Sequence, residues 1–300
     1  MSSSTITAHP ARTRSATVGD YVALTKPRIV ELLLVTTLPA MIAAAGGWPG
    51  LRRVAGTLVA GALVSGSAHA TNMVLDRDLD AQMSRTANRP LPAGRVTPND
   101  ALAFAVALLV AGTVLMALTG GPLATALTAG AWLWYVGLYT CVLKRRTPQN
   151  IVIGGVAGAM PPLIGWAAVT GRVAAAAVVM FAIVVAWTPI HFWALAVATG
   201  GDYARAGVPM LPAVVGDAAA ARRALGYAAA TVALSFALPL SGVGGGLLAG
   251  VLAVCGAWFL FAARAFAISP SPAIAWRTFH RSNAYLATVF LAIAVAGWLT

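Results

Sequence analysis

The stretch from residue 173 to residue 199, VAAAAVVMFAIVVAWTPIHFWALAVAT, contains 27 residues and no Asp, Glu, Lys or Arg. At 1.5 Å per residue, a helix of this length spans about 40 Å, which exceeds the hydrocarbon core of a bilayer at about 30 Å. An uncharged segment of this length is typical of a transmembrane helix. The stretch therefore predicts that the chain crosses a membrane.

The rest of the chain has the same character. Of its 300 residues, 59% are apolar and 9% are charged, and the mean hydropathy is +0.82. This composition excludes a water-soluble globular domain and a disordered chain. The formal net charge of +12 does not indicate a nucleic acid partner, because the basic residues cluster between apolar stretches. We expect an integral membrane protein surrounded by a lipid bilayer.

Nine apolar stretches, each long enough to span a membrane as a helix, follow one another along the chain. With the N-terminus in the cytoplasm, 17 of the 20 Lys and Arg residues fall on the cytoplasmic side, as expected of inner loops. The sequence thus predicts an all-α, polytopic protein of nine transmembrane helices. Prolines inside the spans suggest helices that line a central cavity. The spans are residues 29–47, 54–75, 101–118, 121–142, 150–168, 173–199, 223–241, 243–267 and 283–299.

The N-terminal segment differs from the rest of the chain. It is rich in Ser and basic residues, but Pro10 interrupts any amphipathic helix of the kind found in transit peptides. We expect a disordered segment over residues 1–20 and a single transmembrane domain over residues 21–300. A bacterial plasma membrane is the favoured location, ahead of the mitochondrial inner membrane.

An acidic stripe ends the second span. Asn72, Asp76 and Asp80 recur every fourth residue and lie within about 80° on one helical face, with His69 on the same face and Asp78 pointing about 160° away from Asp80. Carboxylates at the end of a membrane helix repel one another unless a cation neutralises them. Magnesium fits, because it is typically held by one or two carboxylates together with substrate phosphates.

Basic residues on the same predicted side indicate a diphosphate ligand. Arg85 and Arg89 follow the stripe, and Lys144 and Arg145 follow the fourth span; all four could bind phosphate oxygens. Two other interpretations remain open. The arginines could pair with the acids at a solvated helix end, and the second cluster could serve only to set the topology.

A faint internal duplication points to a second acidic position. Asp202 ends the sixth span and follows Asp80 by 122 residues, a separation of four spans. The segments RPLP at 89–92 and PMLP at 209–212 follow the two aspartates, which suggests two four-helix units and an added ninth helix. Asp202 is thus a candidate for a second metal. His191 lies about 16 Å deeper on the sixth span, where packing is its commoner role.

These residues resemble the UbiA-type intramembrane prenyltransferases, whose Asn-x-x-x-Asp-x-x-x-Asp pattern is matched by Asn72, Asp76 and Asp80. Longer strings resemble the heme-modifying branch of that family more than its quinone branches. They are LKRRTPQNIVIGG at 143–155, PPLIGW at 161–166, HFWALA at 191–196 and DYARAGVPMLP at 202–212, while the resemblance to the family as a whole begins with LTKPR at 24–28. One departure is Ala198, which stands four residues before Asp202, where the family usually has an acid.

The resemblance implies nine helices around a cavity that holds Mg²⁺ and a prenyl diphosphate beneath cytoplasmic loops. The implied reaction joins farnesyl diphosphate and heme B, with water, to give heme O and diphosphate. The residues that it implicates in catalysis are Asn72, Asp76, Asp80 and Asp202, with the three aspartates as metal ligands. Those that it implicates in binding diphosphate are Arg85, Arg89, Lys144 and Arg145.

The acceptor side of the reaction is less well defined by the motifs. His191 is the first candidate for the heme iron, Arg205 for a propionate, and His69 for a further heme contact or a base behind the metal. The resemblance also suggests heme A synthase or oxidase assembly factors as partners. Two other functions remain open: an aromatic prenyltransferase of a quinone pathway, and a non-enzymatic membrane transporter or heme-delivery protein.

Overall fold

The computed structural model describes residues 16–299, apart from the side chains of residues 29 and 31–33. Within this part, the chain forms α-helices and one π-helical segment and no β-strand, which confirms the all-α fold. The helices are α1 Val18–Leu24, α2 Pro27–Ala45, α3 Leu51–Leu75, α4 Arg77–Gln82, α5 Pro98–Leu133, the π-helical segment Trp134–Leu143, α6 Asn150–Thr170, α7 Ala175–Ala198, α8 Asp202–Arg205, α9 Leu211–Val215, α10 Asp217–Ser235, α11 Ala237–Leu240, α12 Gly245–Ile268 and α13 Pro272–Leu299.

Seven helical runs within residues 16–299 are long and apolar enough to cross a membrane. The predicted spans 101–118 and 121–142 both lie in the 46-residue run Pro98–Leu143. The first predicted span, residues 29–47, falls largely in α2, which is 19 residues long. The protein is therefore a multi-pass membrane protein. The count of nine spans, the central cavity and the cytoplasmic N-terminus stay predictions.

The long run Pro98–Leu143 makes two passes in opposite directions. Gly121, with φ of 80°, interrupts the helix just before Pro122, and glycine adopts this conformation without strain from a Cβ atom. Contacts with α3 give the direction of each pass: α5 runs antiparallel to α3 before the break, and the chain runs parallel to α3 after it. These contacts are Gly56–Thr119 and Val64–Gly112 before the break, and Ser67–Trp132 and Asn72–Thr140 after it.

The main apolar core joins α7 with α10, α12 and α13. Phe259 of α12 stacks on Tyr285 of α13 at a ring distance of 4.7 Å, and the Tyr285 hydroxyl lies 2.8 Å from the hydroxyl of Ser235 on α10. The Trp187 indole on α7 donates a hydrogen bond of 2.7 Å to the carbonyl oxygen of Ser282. Polar atoms of these buried side chains are thus paired, as burial requires.

Helix α1 corrects the prediction of disorder for residues 1–20. The helix begins at Val18, so the prediction was wrong for residues 18–20, whereas residues 1–15 lie outside the described part. A capping box explains the start: the Thr17 hydroxyl accepts from the Asp20 amide at 3.3 Å, and the Asp20 carboxylate accepts from the Thr17 amide at 3.1 Å. Arg95 pairs with Asp20 at 2.7 Å and ties α1 to the loop before α5.

We predict that Gly112→Ala destabilises the protein and that Gly130→Ala in the same helical run does not. A methyl group on Gly112 would lie 2.7 Å from Val64 and 3.0 Å from the carbonyl oxygen of Ala60. Since α3 and α5 would have to separate, we expect a loss of about 1–3 kcal/mol. A methyl group on Gly130 meets nothing within 4 Å, and alanine there gains up to about 1 kcal/mol in helix propensity.

Denaturant titration of both variants in detergent micelles measures this difference. Equal free energies of unfolding for the two variants would contradict the close approach of α3 and α5.

Candidate functional site

The acidic stripe lies at the end of α3. Asp76 stands at the break between α3 and α4, and the amide of Asp80 still donates a hydrogen bond of 2.8 Å to the carbonyl oxygen of Asp76. Asn72, Asp76 and Asp80 are buried, whereas the Asp78 side chain is 54% exposed. The single buried face predicted from the four-residue spacing is therefore confirmed, and Asp78 points away from it.

Each buried carboxylate of the stripe pairs with a cation from a distant segment. Lys144, which follows the π-helical segment, donates from Nζ to Asp76, and Arg89, from the loop after α4, donates at 2.8 Å to both oxygens of Asp80. Arg145 lies 3.7 Å from Asp76 and makes two hydrogen bonds of 2.7 Å with Asp78. The hydrogen bonds from Arg145 hold the pKa of the Asp78 carboxyl at about 2. The structure thus brings Arg89, Lys144 and Arg145 together at the stripe.

Lys26 also reaches the acidic stripe, although the sequence motifs assigned it no role. Its Nζ donates a hydrogen bond of 2.9 Å to the Asn72 amide oxygen, and it forms no ion pair with any carboxylate whose side chain the structure describes. Burial lowers the pKa of Lys26 to about 7, and the charges of Arg89 and Lys144 contribute. Lys26 has a positive φ of 50° and directly precedes Pro27, the first residue of α2. The sequence feature that could have pointed to Lys26 is the string LTKPR at residues 24–28.

Asp202 lies in a second part of the site, in the short helix α8. Its buried carboxylate accepts a hydrogen bond of 3.0 Å from the Ser84 hydroxyl and a second hydrogen bond from Arg205. Burial raises the pKa of the Asp202 carboxyl, but the hydrogen bonds from Ser84 and Arg205 outweigh it and hold that pKa below its usual range. Arg85 donates at 3.3 Å to the Tyr203 hydroxyl. The two segments related by the predicted duplication therefore meet here.

The donor set can be compared with what a divalent metal requires. Among residues 16–299, no three Asp, Glu, His or Cys side chains converge closely enough to hold a metal by themselves. One carboxylate oxygen, Asp76 Oδ1, is nevertheless buried without a hydrogen-bond partner. Mg²⁺ is usually bound by one or two carboxylates, phosphate oxygens and waters. The acidic stripe therefore fits Mg²⁺ that is shared with a phosphate ligand, and it does not form a complete metal cage.

The two candidate histidines have different surroundings. His69 is buried on α3, both of its ring nitrogens are without hydrogen-bond partners, and its ring meets Tyr135 edge-on at 5.4 Å. His191 is stacked between Trp187 at 4.2 Å and Phe279 at 4.4 Å, and its Nδ1 lies 3.0 Å from the Ser282 hydroxyl. His191 thus packs α7 against α13, while His69 lies one helical turn below Asn72.

The fold and this site define a class: a polytopic helical membrane protein with buried carboxylates and basic side chains gathered at one end. The chain matches the UbiA prenyltransferase family over residues 33–294. It belongs to that family, which confirms the resemblance described above.

Individual relatives agree with this assignment. The chain is 50% identical over 288 residues to the protoheme IX farnesyltransferase of Frankia casuarinae, an alignment that covers 94% of this chain and 98% of the relative. A solved structure from work on digeranylgeranylglyceryl phosphate synthase in membranes has a TM-score of 0.77 at 20% identity and covers 94% of this chain and 99% of its own. A UbiA homolog from Archaeoglobus fulgidus bound to GPP and Mg²⁺ has a TM-score of 0.63 at 18% identity, with coverage of 91% and 99%. The two structural likenesses show the fold.

We predict that Lys26→Met raises the thermal stability of the ligand-free protein, and raises it more at pH 6 than at pH 10. The pKa of Lys26, about 7 in the folded protein, is below its ordinary value of 10.5, so folding disfavours the charged amine. The resulting destabilisation is fully present below about pH 7 and is relieved as the pH rises from about 7 to about 10.5, since the unfolded chain then binds more protons.

The only other lysine of the chain supplies the matched control. Lys144→Met leaves the buried Asp76 carboxylate without its main partner, and we expect it to lower stability by roughly 3 kcal/mol. Thermal unfolding in detergent at the two pH values measures both effects. If Lys26→Met raised the thermal stability equally at both pH values, the lysine would not be held as an uncompensated buried cation.

Proposed function

We propose that the chain is a protoheme IX farnesyltransferase of the bacterial plasma membrane, with the acid-bearing end of the bundle in the cytoplasm. It transfers the farnesyl group of farnesyl diphosphate to heme B, takes up water and releases heme O and diphosphate. The observation that carries the proposal is the gathering of Lys26, Arg89 and Lys144 around the buried stripe at the end of an apolar bundle. Identity of 50% to a protein of this name, over nearly the whole chain, supports the choice of acceptor.

The charges of the pocket favour an anionic ligand. Lys144 and Arg89 are each paired directly with a carboxylate, whereas among the described side chains Lys26 hydrogen-bonds the neutral Asn72 amide and feels Asp76 and Asp80 without pairing with them. A diphosphate would supply the negative charge that Lys26 lacks, and charge-assisted hydrogen bonds to phosphate oxygens are stronger than neutral ones. Arg145 lies close enough to Asp76 to contribute to diphosphate binding. Arg85 would contribute from the loop that it shares with Ser84.

Asp76 and Asp80 are the residues that would hold Mg²⁺: Asp76 Oδ1 is buried without a hydrogen-bond partner, with Arg145 3.7 Å away, and Asp80 would share its oxygens between the metal and Arg89. When bound, Mg²⁺ neutralises the departing diphosphate and so lowers the barrier to ionisation of the allylic ester. The Archaeoglobus fulgidus homolog described as bound to GPP and Mg²⁺ supports this role. Asp202 would assist from the opposite loop, where Ala198 replaces the second acid of the family pattern.

The reaction follows from what the side chains can stabilise. The allylic C–O bond breaks and its electron pair leaves with the diphosphate, whose growing negative charge Lys26, Lys144 and Arg89 stabilise. The terminal carbon of a heme vinyl group then donates its π electrons to the farnesyl cation and forms the new C–C bond. Water adds to the vinyl carbon next to the ring and loses a proton, which leaves a hydroxyl group. The apolar bundle limits premature attack by water on the farnesyl cation.

Three side chains stay candidates for contact with heme. His69 lies nearest to the stripe and has both ring nitrogens without partners. His191 already uses Nδ1 toward Ser282, so only Nε2 could reach an iron atom. Arg205 pairs with Asp202 through one guanidinium nitrogen while much of its side chain is exposed, which suits a propionate at the rim.

We predict that Asp76→Asn and Asp80→Asn each lower the rate of heme O formation by at least about 100-fold, since each removes charge stabilisation that acts on the leaving group. Asp217→Asn is the matched control, because Asp217 is exposed in the first turn of α10 and makes no ion pair within the described residues. The measurement is chromatography of hemes extracted from membranes incubated with farnesyl diphosphate and heme B. Unchanged heme O in both site variants would disprove the catalytic role of the stripe.

The same incubation decides the acceptor. Replacing heme B with 4-hydroxybenzoate should give no prenylated product. Product from the aromatic acid alone would replace the proposal with a quinone-pathway enzyme, and movement of substrate without any new heme would indicate a transporter.

We predict that removing divalent metal abolishes the reaction and that Mg²⁺ restores it. The reason is that the cations of the pocket are partly used by Asp76 and Asp80, so they do not by themselves neutralise a diphosphate. Activity is assayed in membranes dialysed against chelator, before and after Mg²⁺ is returned. Turnover that persists with no divalent metal would contradict the roles of Asp76 and Asp80 as metal ligands.

A further inference from the structure

A cleft of about 500 Å³ lies at the acid-bearing end of the bundle, apart from the candidate site. It lies where α7 and α10 meet the N-terminal end of α6. None of the buried carboxylates or their cationic partners lines it. The lining residues that matter here are Gln149, Trp193, Arg223, Gly226, Tyr227 and Ala230.

The polar groups of this cleft lack acceptors. Arg223 is the one charged residue that lines it, and this guanidinium makes no ion pair within residues 16–299. The Trp193 indole, only 2% exposed, packs edge-on against Tyr227 at 5.4 Å, and its N–H is buried without a hydrogen-bond partner. Burying a donor without an acceptor costs free energy. The cleft therefore offers an anion the charge of Arg223, and the enclosed Trp193 indole lies in its wall.

The lining residues of α10 change in character along the helix. Positions 223, 226, 227 and 230 are spaced i, i+3, i+4 and i+7, so they share one face and extend over about 10 Å. The face begins with the charge of Arg223 at the rim and ends at the small residues Gly226 and Ala230. Gly226 and Ala230 are exposed, and a Cβ atom added to Gly226 would meet nothing within 4 Å, so an open apolar channel continues along the surface of this helix. A polar rim that leads into an apolar channel matches the form of an amphiphile.

We propose that this cleft binds an anionic phospholipid, with the phosphate diester at Arg223 and the start of an acyl chain along Gly226 and Ala230. A single cation matches the single negative charge of a phosphate diester. A diphosphate or a porphyrin with two carboxylates carries more charge than Arg223 alone can neutralise. Basic pockets between membrane helices bind lipid headgroups in this way.

The test uses the full chain purified in detergent and native mass spectrometry, with titration of dioleoylphosphatidylglycerol and, separately, dioleoylphosphatidylcholine. We expect one saturable binding event for the anionic lipid that the neutral lipid does not reproduce. Arg223→Gln should weaken this event by at least about five-fold. Arg222→Gln is the matched control, because Arg222 is the adjacent exposed cation but does not line the cleft; it should retain the binding.

A second variant tests the channel without changing charge. Gly226→Leu should fill the channel and abolish binding of the anionic lipid, while its thermal unfolding in detergent stays close to that of the parent because no atom blocks the added Cβ. Arg223→Lys keeps the charge and should retain most of the binding. Millimolar inorganic phosphate should not displace the lipid, since a free anion makes no contact with the apolar channel.

Four results would overturn the proposal. Equal weakening by Arg222→Gln and Arg223→Gln would show diffuse attraction to the helix surface, and equal binding of the neutral lipid would remove the role of charge. Displacement by inorganic phosphate would indicate a small-anion site. Displacement by heme B, with a raised KM for heme in Arg223→Gln, would identify the cleft as an acceptor site.

Discussion

Neutralisation of three buried carboxylates organises one end of this membrane protein. An unpaired carboxylate in such surroundings costs several kcal/mol, and Asp76, Asp80 and Asp202 are all buried. Their partners arrive from three different segments: Lys144 after the π-helical segment, Arg89 from the loop after α4, and Arg205 from α8. The first two ion pairs, together with the hydrogen bond from Ser84 to Asp202, therefore hold these segments over the end of the bundle, whereas the Arg205–Asp202 pair lies within α8. The groups that we propose to bind a charged substrate therefore also fix the loops, so each would have a structural and a chemical role.

Lys26 is the exception to this balance, and in the proposed function it is the cation with which a bound anion would pair. Arg89, Lys144 and Arg145 each pair with a carboxylate, but within the described side chains Lys26 bonds the Asn72 amide oxygen instead, and it has an unusual positive φ before Pro27. Both features cost stability in the ligand-free protein. Backbone strain and uncompensated charge persist where surrounding structure enforces them, and they cluster at functional sites. A bound diphosphate would relieve the charge, so part of its binding free energy is already stored in the fold.

The sequence predicted those features that follow from local periodicity. Helical geometry alone separates Asp76 and Asp80 from Asp78, and hydropathy locates most spans. Hydropathy did not predict that α13 begins at Pro272, eleven residues before the predicted span, because Arg277 and Arg281 interrupt the apolar pattern. Arg281 is accommodated over the Trp258 ring at 5.3 Å, a contact that depends on another helix. Pairs between distant segments and the inward turn of Lys26 have no local signature, so spacing could not identify them.

The two halves of the predicted duplication contribute unequally to a single composite site. The first half carries the dense stripe, whereas the second has Asp202 and, four residues earlier, Ala198 in place of an acid. Asp202 obtains one of its hydrogen bonds from Ser84, which belongs to the loop of the first half, and Arg85 from the same loop bonds Tyr203 beside it. The first half thus supplies groups that the second lacks. Two equivalent sites would each need their own acids and cations, so this asymmetry fits one diphosphate held between the two loops.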